Sequence, residues 1–177
     1  MRIRQAEPRD LDSAWSLIDR CRSALAARGI HQWDDGYPTR ETTAADVARG
    51  ALFVLETDDG NCVACVALDE SQSPEYTSLV WTTTEPALVV HRLCVDPSAQ
   101  GRGYGRQLME FAESHAAEQG FASVRLDAYT GNPRSVELYR RRGYREVGQV
   151  RFPRRALPFW CFELDLRPRR QPEKLVP

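Results

Sequence analysis

The sequence predicts a single α/β domain of the α+β kind, with about seven strands in a mixed, mostly antiparallel sheet and about four helices around it. Three observations carry that reading. An apolar run, Ala87–Val95, is stopped by Asp96-Pro97 and followed at once by a glycine-rich turn and a segment of helical period. Two more apolar runs, residues 51–56 and 62–68, flank Asp58-Asp59-Gly60-Asn61 in the pattern of an antiparallel hairpin. The length of 177 residues, with 42% hydrophobic and 28% charged side chains, suits one ordinary globular core.

Taken in order, residues 2–6 alternate polar and apolar side chains and form a first strand that Pro8 ends. Residues 11–28 put Leu11, Ala14, Trp15, Leu17, Ile18, Cys21 and Leu25 on one broad apolar face, a helix starting near Asp10 and stopped by Gly29. Residues 29–39 have no period and mix Trp33 and Tyr37 with His31, Gln32, Asp34 and Asp35, a composition suited either to a pocket rim or to covering the core. A short helix over residues 43–49, capped by Thr42 or Thr43, leads into the hairpin. Residues 69–86, carrying Trp81 and Glu85, exceed an ordinary connection and are expected to be a substrate-facing excursion or a mobile lid, with Trp81 either a substrate contact or a cap on the core.

After the central strand, Leu108, Met109, Phe111, Ala112, His115 and Ala116 recur at helical spacing within residues 103–120. Ser123–Tyr129 then alternates cleanly, and a right-handed crossover makes it parallel to Ala87–Val95. Pro133, with Asn132 as cap, starts a short helix that Gly143 ends. Residues 144–148 and 158–165 are the last strands, separated by a basic turn. The domain is expected to span residues 1–166, and residues 167–177, with three prolines and no period, to be a disordered tail.

The central turn reads Gln100-Gly101-Arg102-Gly103-Tyr104-Gly105. Glycines so dense weaken a helix start, so they suit a turn whose amides face an anion such as a phosphate or pyrophosphate; a mere connector is the plain alternative. No G-x-G-x-x-G follows the first strand and no G-K-S or G-K-T follows the turn, which argues against a dinucleotide fold and a nucleotide triphosphatase loop.

With its placement between strand and helix, this turn resembles the acyl-CoA signature of the GCN5-related N-acetyltransferases (GNAT family): Arg or Gln, two residues, Gly, one residue, Gly or Ala. A second stretch, Asn132-Pro133-Arg134-Ser135-Val136-Glu137-Leu138-Tyr139-Arg140-Arg141-Arg142-Gly143-Tyr144, is similar to that family's later motif. The resemblance covers nearly the whole chain. It implies a splay between the two parallel strands, an acetyl-CoA cofactor, and direct transfer of the acetyl group to a primary amine.

By the same resemblance, Gln100, Gly101, Arg102, Gly103, Tyr104, Gly105 and Arg106 would hold the pyrophosphate. Backbone groups of Leu93, Cys94 and Val95, with Asn132, would hold the pantetheine and acyl end, helped by a bulge in their strand. Tyr139 would protonate the departing thiolate. The base candidates are His91, Glu85 and His31; strict alternation puts His91 on the face of Leu93 and Val95, where it is either a pocket residue or a structural histidine. Trp33, Tyr37, Trp81 and Glu85 are the expected substrate contacts, favouring a small amine or free N-terminus over a folded protein's lysine. A non-catalytic acyl-CoA-binding module is the alternative.

Composition sets further bounds. No apolar run reaches the length of a membrane span and the first residues lack a signal segment, so a cytoplasmic protein without membrane partners is expected. The five cysteines, Cys62 and Cys65 included, lack zinc-ligand grouping, so no metal is expected. The formal charge is −1, yet eleven arginines lie between Arg134 and Arg170. No nucleic-acid-binding pattern accompanies them, and they suit a phosphorylated cofactor equally well. Asp34, Asp35 and Glu85 would attract a cation and Arg151, Arg154 and Arg155 an anion, so charge alone leaves the acceptor open. Monomer and homodimer both remain compatible.

Overall fold

A computed structural model describes residues 1–84 and 86–167. Glu85 and the expected tail from residue 168 onward lie outside the described residues. The elements are β1 (Arg2–Gln5), α1 (Leu11–Ala26), α2 (Arg40–Ala48), β2 (Leu52–Glu56), β3 (Cys62–Asp69), β4 (Ala87–Val95), α3 (Tyr104–Glu118), β5 (Ser123–Tyr129), α4 (Pro133–Arg141), β6 (Arg145–Val150) and β7 (Phe159–Asp165). They form one seven-stranded sheet in the order β1-β2-β3-β4-β5-β7-β6. Every neighbouring pair is antiparallel except β4 and β5.

Alternation along the strands buries both faces of the sheet. On one face Leu108, Met109 and Ala112 of α3, with Val136 and Tyr139 of α4, pack on Leu88, Val90, Leu126 and Phe162. On the other, Ala14, Leu17, Ile18 and Cys21 of α1 and Val47 of α2 cover Val54, Cys65 and Cys94. A third cluster, including Tyr76, Val89, Tyr129 and Phe159, lies under the connecting segments.

Two features of β4 shape everything that follows. Its parallel pairing with β5 covers only Ala87–Val89 against Ser123–Arg125. Beyond those rungs the strands diverge, the splay that the resemblance implied. In addition, Cys65 pairs with Cys94 while Ala67 pairs with His91, so three steps of β4 oppose two of β3. This bulge contains Arg92, a non-glycine residue at φ 52°. Left-handed backbone is costly for arginine, and here it is held by a two-pronged ion pair from Nε and Nη2 to buried Asp46 at 2.7 and 2.8 Å. The bulge also corrects the expected facing: the extra residue leaves Leu93 and Val95 on the Leu88 and Val90 face, with His91 on the opposite side.

Two boundaries differ from expectation. Helix α2 starts earlier, at Arg40, because the Thr39 hydroxyl accepts from the Thr42 amide and Thr42 reciprocates, a capping box that the expected Thr42 or Thr43 cap missed. The excursion after β3 is anchored rather than loose. Glu163 accepts from the Thr82 and Thr83 amides at 2.6 and 3.3 Å and from the Thr83 hydroxyl at 2.7 Å.

Candidate active site

The turn after β4 behaves as its glycines require. Gly101 and Gly103 sit at φ 83° and 84°, a region that a side chain strongly disfavours. A Cβ at either position would meet nothing within 4 Å, so glycine is needed there for backbone conformation rather than for space within the chain. Gly103 caps α3 without any side-chain hydrogen bond, which leaves the first-turn amides of the helix to an outside partner.

These amides border a cleft of about 960 Å³. Gln100, Gly101, Gly103, Tyr104, Gly105 and Arg106 line it from the turn, Leu93, Cys94 and Val95 from the strand, and Asn132 from the start of α4; Arg102 does not. Arg28 and Arg134 also line the cleft and have no carboxylate partner among the described residues. An uncapped helix N-terminus beside unneutralised guanidinium groups fits a long phosphorylated cofactor such as acetyl-CoA.

A second cavity, about 480 Å³, opens in the splay on the far side of Leu93. Gln32, Trp33, Leu93 and Ser135 line both spaces, so the two meet at the bulged strand. Its walls include Trp33, Tyr37, Tyr129, Phe152 and Phe159, and its polar members include His91, Arg92, Asp127, Tyr139 and Arg155.

Helix α4 brings Tyr139 to this place. Asn132 caps the helix by accepting from the Ser135 amide at 3.4 Å, and its own side-chain amide donates to Gln32 at 2.7 Å, fastening the α1–α2 loop over the junction. The Tyr139 ring packs against Phe162 and edge-on to Tyr144, with centroids 5.7 and 5.9 Å apart. Burial, reinforced by the Asp127 carboxyl, pushes its phenol well above the usual range, so it keeps its proton at working pH. Its hydroxyl makes no hydrogen bond to any described residue.

The other expected residues are distributed unevenly. Trp33 and Tyr37 line the second cavity. Trp81 lines neither space; the Arg125 guanidinium lies over its ring at 4.4 Å and its indole N–H donates to the Tyr76 carbonyl at 3.3 Å. Its bulk therefore caps the core beside the buried Arg125–Glu163 pair, contrary to the substrate contact expected of it. Glu85, as noted, is outside the described residues. His31 is exposed and away from both spaces. His91 borders the second cavity, but its Nε2 lies 3.1 Å from the Ser71 carbonyl and 3.2 Å from Asp69 Oδ1, two acceptors, so this nitrogen carries the proton. Burial opposes ionisation of Asp69, yet His91, the Ser71 amide and Arg49 outweigh it and bring its pKa down to about 2.

The charges that left the acceptor undecided largely cancel one another. Asp34 binds Arg155 at 2.5 Å and Arg154 at 3.0 Å, and Asp35 binds Arg22 at 2.7 Å. Residues that sequence reasoning missed are Arg92, Tyr76 and above all Asp127, whose side chain accepts from the Tyr76 hydroxyl at 2.8 Å. A signal for Asp127 existed: a carboxylate in a strand expected at the middle of a sheet covered by helices needs a reason to be there.

Comparison with known proteins agrees with this geometry. The family model described as Acetyltransferase (GNAT) family matches residues 13–144. The uncharacterized N-acetyltransferase YesJ of Bacillus subtilis is 26% identical over 144 residues, covering 78% of each chain. Among solved structures, a GNAT acetyltransferase of Streptococcus agalactiae superposes with a TM-score of 0.81 at 22% identity, covering 94% of this chain and 96% of the other. The yncA protein of Salmonella typhimurium, solved with its cofactor acetyl-CoA, gives 0.71 at 18% identity and 98% coverage of both. With the family model spanning most of the chain and the splayed sheet, glycine turn and cleft all in place, this protein belongs to the GNAT acetyltransferase family.

Proposed function

We propose that the chain transfers the acetyl group of acetyl-CoA directly to a small primary amine or a free N-terminus, with both substrates bound at once. The observation that carries this reading is the meeting of a cationic, amide-lined cleft with a separate aromatic-walled cavity at Leu93 and Ser135, with Tyr139 in the wall of that cavity. Acetyl-CoA supplies a thioester-activated carbonyl and a thiol leaving group. The amides of the turn and the start of α3 hold its pyrophosphate, and Arg28 and Arg134 add charge. Backbone groups of the splayed strand near Leu93 and Val95 orient the acyl end. Tyr139 gives its proton to the departing sulfur and recovers one from the acceptor nitrogen. The balance closes: one N–C bond forms, one C–S bond breaks, and of two protons lost by the ammonium one ends on sulfur and one in solvent.

The size of the second cavity, about 480 Å³, and the presence of Trp33 and Tyr37 in its wall support a compact acceptor. Titration calorimetry with CoA and acetyl-CoA should give saturable binding, and thiol release should require an added amine. Absence of binding up to millimolar ligand overturns the proposal. Binding without thiol release across amines, amino acids and peptides would leave a non-catalytic acyl-CoA-binding module.

A further inference from the structure

Asp127 stands apart from the other charged groups of the acceptor cavity. It lies on β5 beyond Arg125, the last residue paired with β4, and so faces the opening of the splay. The Tyr76 hydroxyl, at 2.8 Å, is its one hydrogen-bond donor among the described residues, and no Arg, Lys or His there comes within ion-pair distance. The cations on the cavity wall are already matched: Arg155 by Asp34, and Arg92 by the two-pronged contact with Asp46. Aromatic rings of Trp33, Tyr37 and Phe159 surround the space, a setting that favours a cation over an anion.

We propose that Asp127 is the seat of the acceptor's ammonium group and the base that takes its proton, so that the acceptor is a cationic primary amine. This assignment rests on the acetyltransfer reading above. In the step itself one N–H bond of the ammonium breaks, its electron pair stays on nitrogen as the nucleophile, and the proton moves to an Asp127 oxygen before passing to solvent. A recessed site favours this exchange, because the neutral acid and free amine avoid the desolvation that the ion pair suffers. Burial holds the Asp127 carboxyl above the usual range, which makes it a better proton acceptor. The titratable groups around it are His91 from β4, Glu75 and Tyr76 from the anchored excursion, Cys161 from β7, Tyr139 from α4 and Tyr37 from the α1–α2 loop.

The test compares the wild type with Asp127→Asn, which keeps the shape and an acceptor for Tyr76. Calorimetry on the free chain with putrescine, phenethylamine and glycinamide reads amine binding; a second titration reads acetyl-CoA; thiol release from pH 5.5 to 9 reads turnover. The expected variant binds acetyl-CoA within about twofold of wild type, binds the amines at least about tenfold more weakly, and loses about 100-fold or more in kcat/KM. With the base gone, its remaining turnover should follow the fraction of unprotonated amine and so rise more steeply with pH than that of the wild type. Unchanged amine affinity and an unchanged pH profile overturn the role of Asp127 alone. A wild type that binds acetyl-CoA but none of the three amines likewise counts against an amine seat, whereas a wild type that fails to bind acetyl-CoA overturns the acetyltransfer reading itself.

Discussion

A phenol that acts as an acid must hold its proton until the leaving group needs it, and this is the part proposed above for Tyr139. Its surroundings raise its pKa, so its charge-neutral form persists and kcat should show no alkaline fall due to Tyr139 below about pH 10. Tyr139→Phe should lower kcat by about 10- to 1000-fold while acetyl-CoA affinity stays within about twofold. Stopped-flow thiol release beside calorimetry separates the two quantities, and equal kcat in the variant would reduce Tyr139 to packing. Tyr139 and the glycine turn were legible in the sequence because each belongs to a spaced motif on a predicted helix or turn. Arg92 and Asp127 were not, since a simple two-residue period assigns them only to a face. The roles of both depend on a bulge and a divergence that alternation does not encode.

At the level of elements, the length of the segment between β3 and β4 suggested either a substrate-facing excursion or a mobile lid. Ser71, Gln72, Ser73 and Tyr76 do border the acceptor cavity, while the contacts of Trp81, Thr82 and Thr83 fasten the segment to β5 and β7. Those anchors are side chains far away in sequence, so no local pattern could reveal them. The decisive anchor is Glu163, 1% exposed and 3.2 Å from the equally hidden Arg125. Glu163→Gln breaks one buried ion pair to Arg125 and weakens the contacts to Thr82 and Thr83, and should cost about 3–5 kcal/mol of stability. Urea denaturation monitored by tryptophan fluorescence reads this directly. A change below about 1 kcal/mol would mean that the segment is held by its apolar contacts instead. The α2 boundary failed for a gentler reason: Thr39, Thr42 and Thr43 all qualify as caps, and only the reciprocal bonding of the first two distinguishes them.

For the whole molecule, strand number and the mixed sheet were readable from apolar runs and turn signals, and the antiparallel hairpin of β2 and β3 from its tight turn. The strand order on the far side was not, because β7 inserts between β5 and β6, a pairing of distant segments that hydrophobic period leaves open. The short parallel contact between β4 and β5 has a mechanical consequence. The sheet is in effect two stiff panels, β1–β4 and β5–β7–β6, riveted along a seam of three residue pairs. Both proposed substrate spaces open along that seam, so a ligand lying across it would act as a clamp between the panels. Amide hydrogen exchange should therefore be faster in residues 90–95 and 126–129 than in the adjoining rungs at residues 87–89 and 123–125, and CoA should slow the first set selectively. Uniform protection across the sheet would mean that α3, packed over both panels, already splints them without help from the ligand.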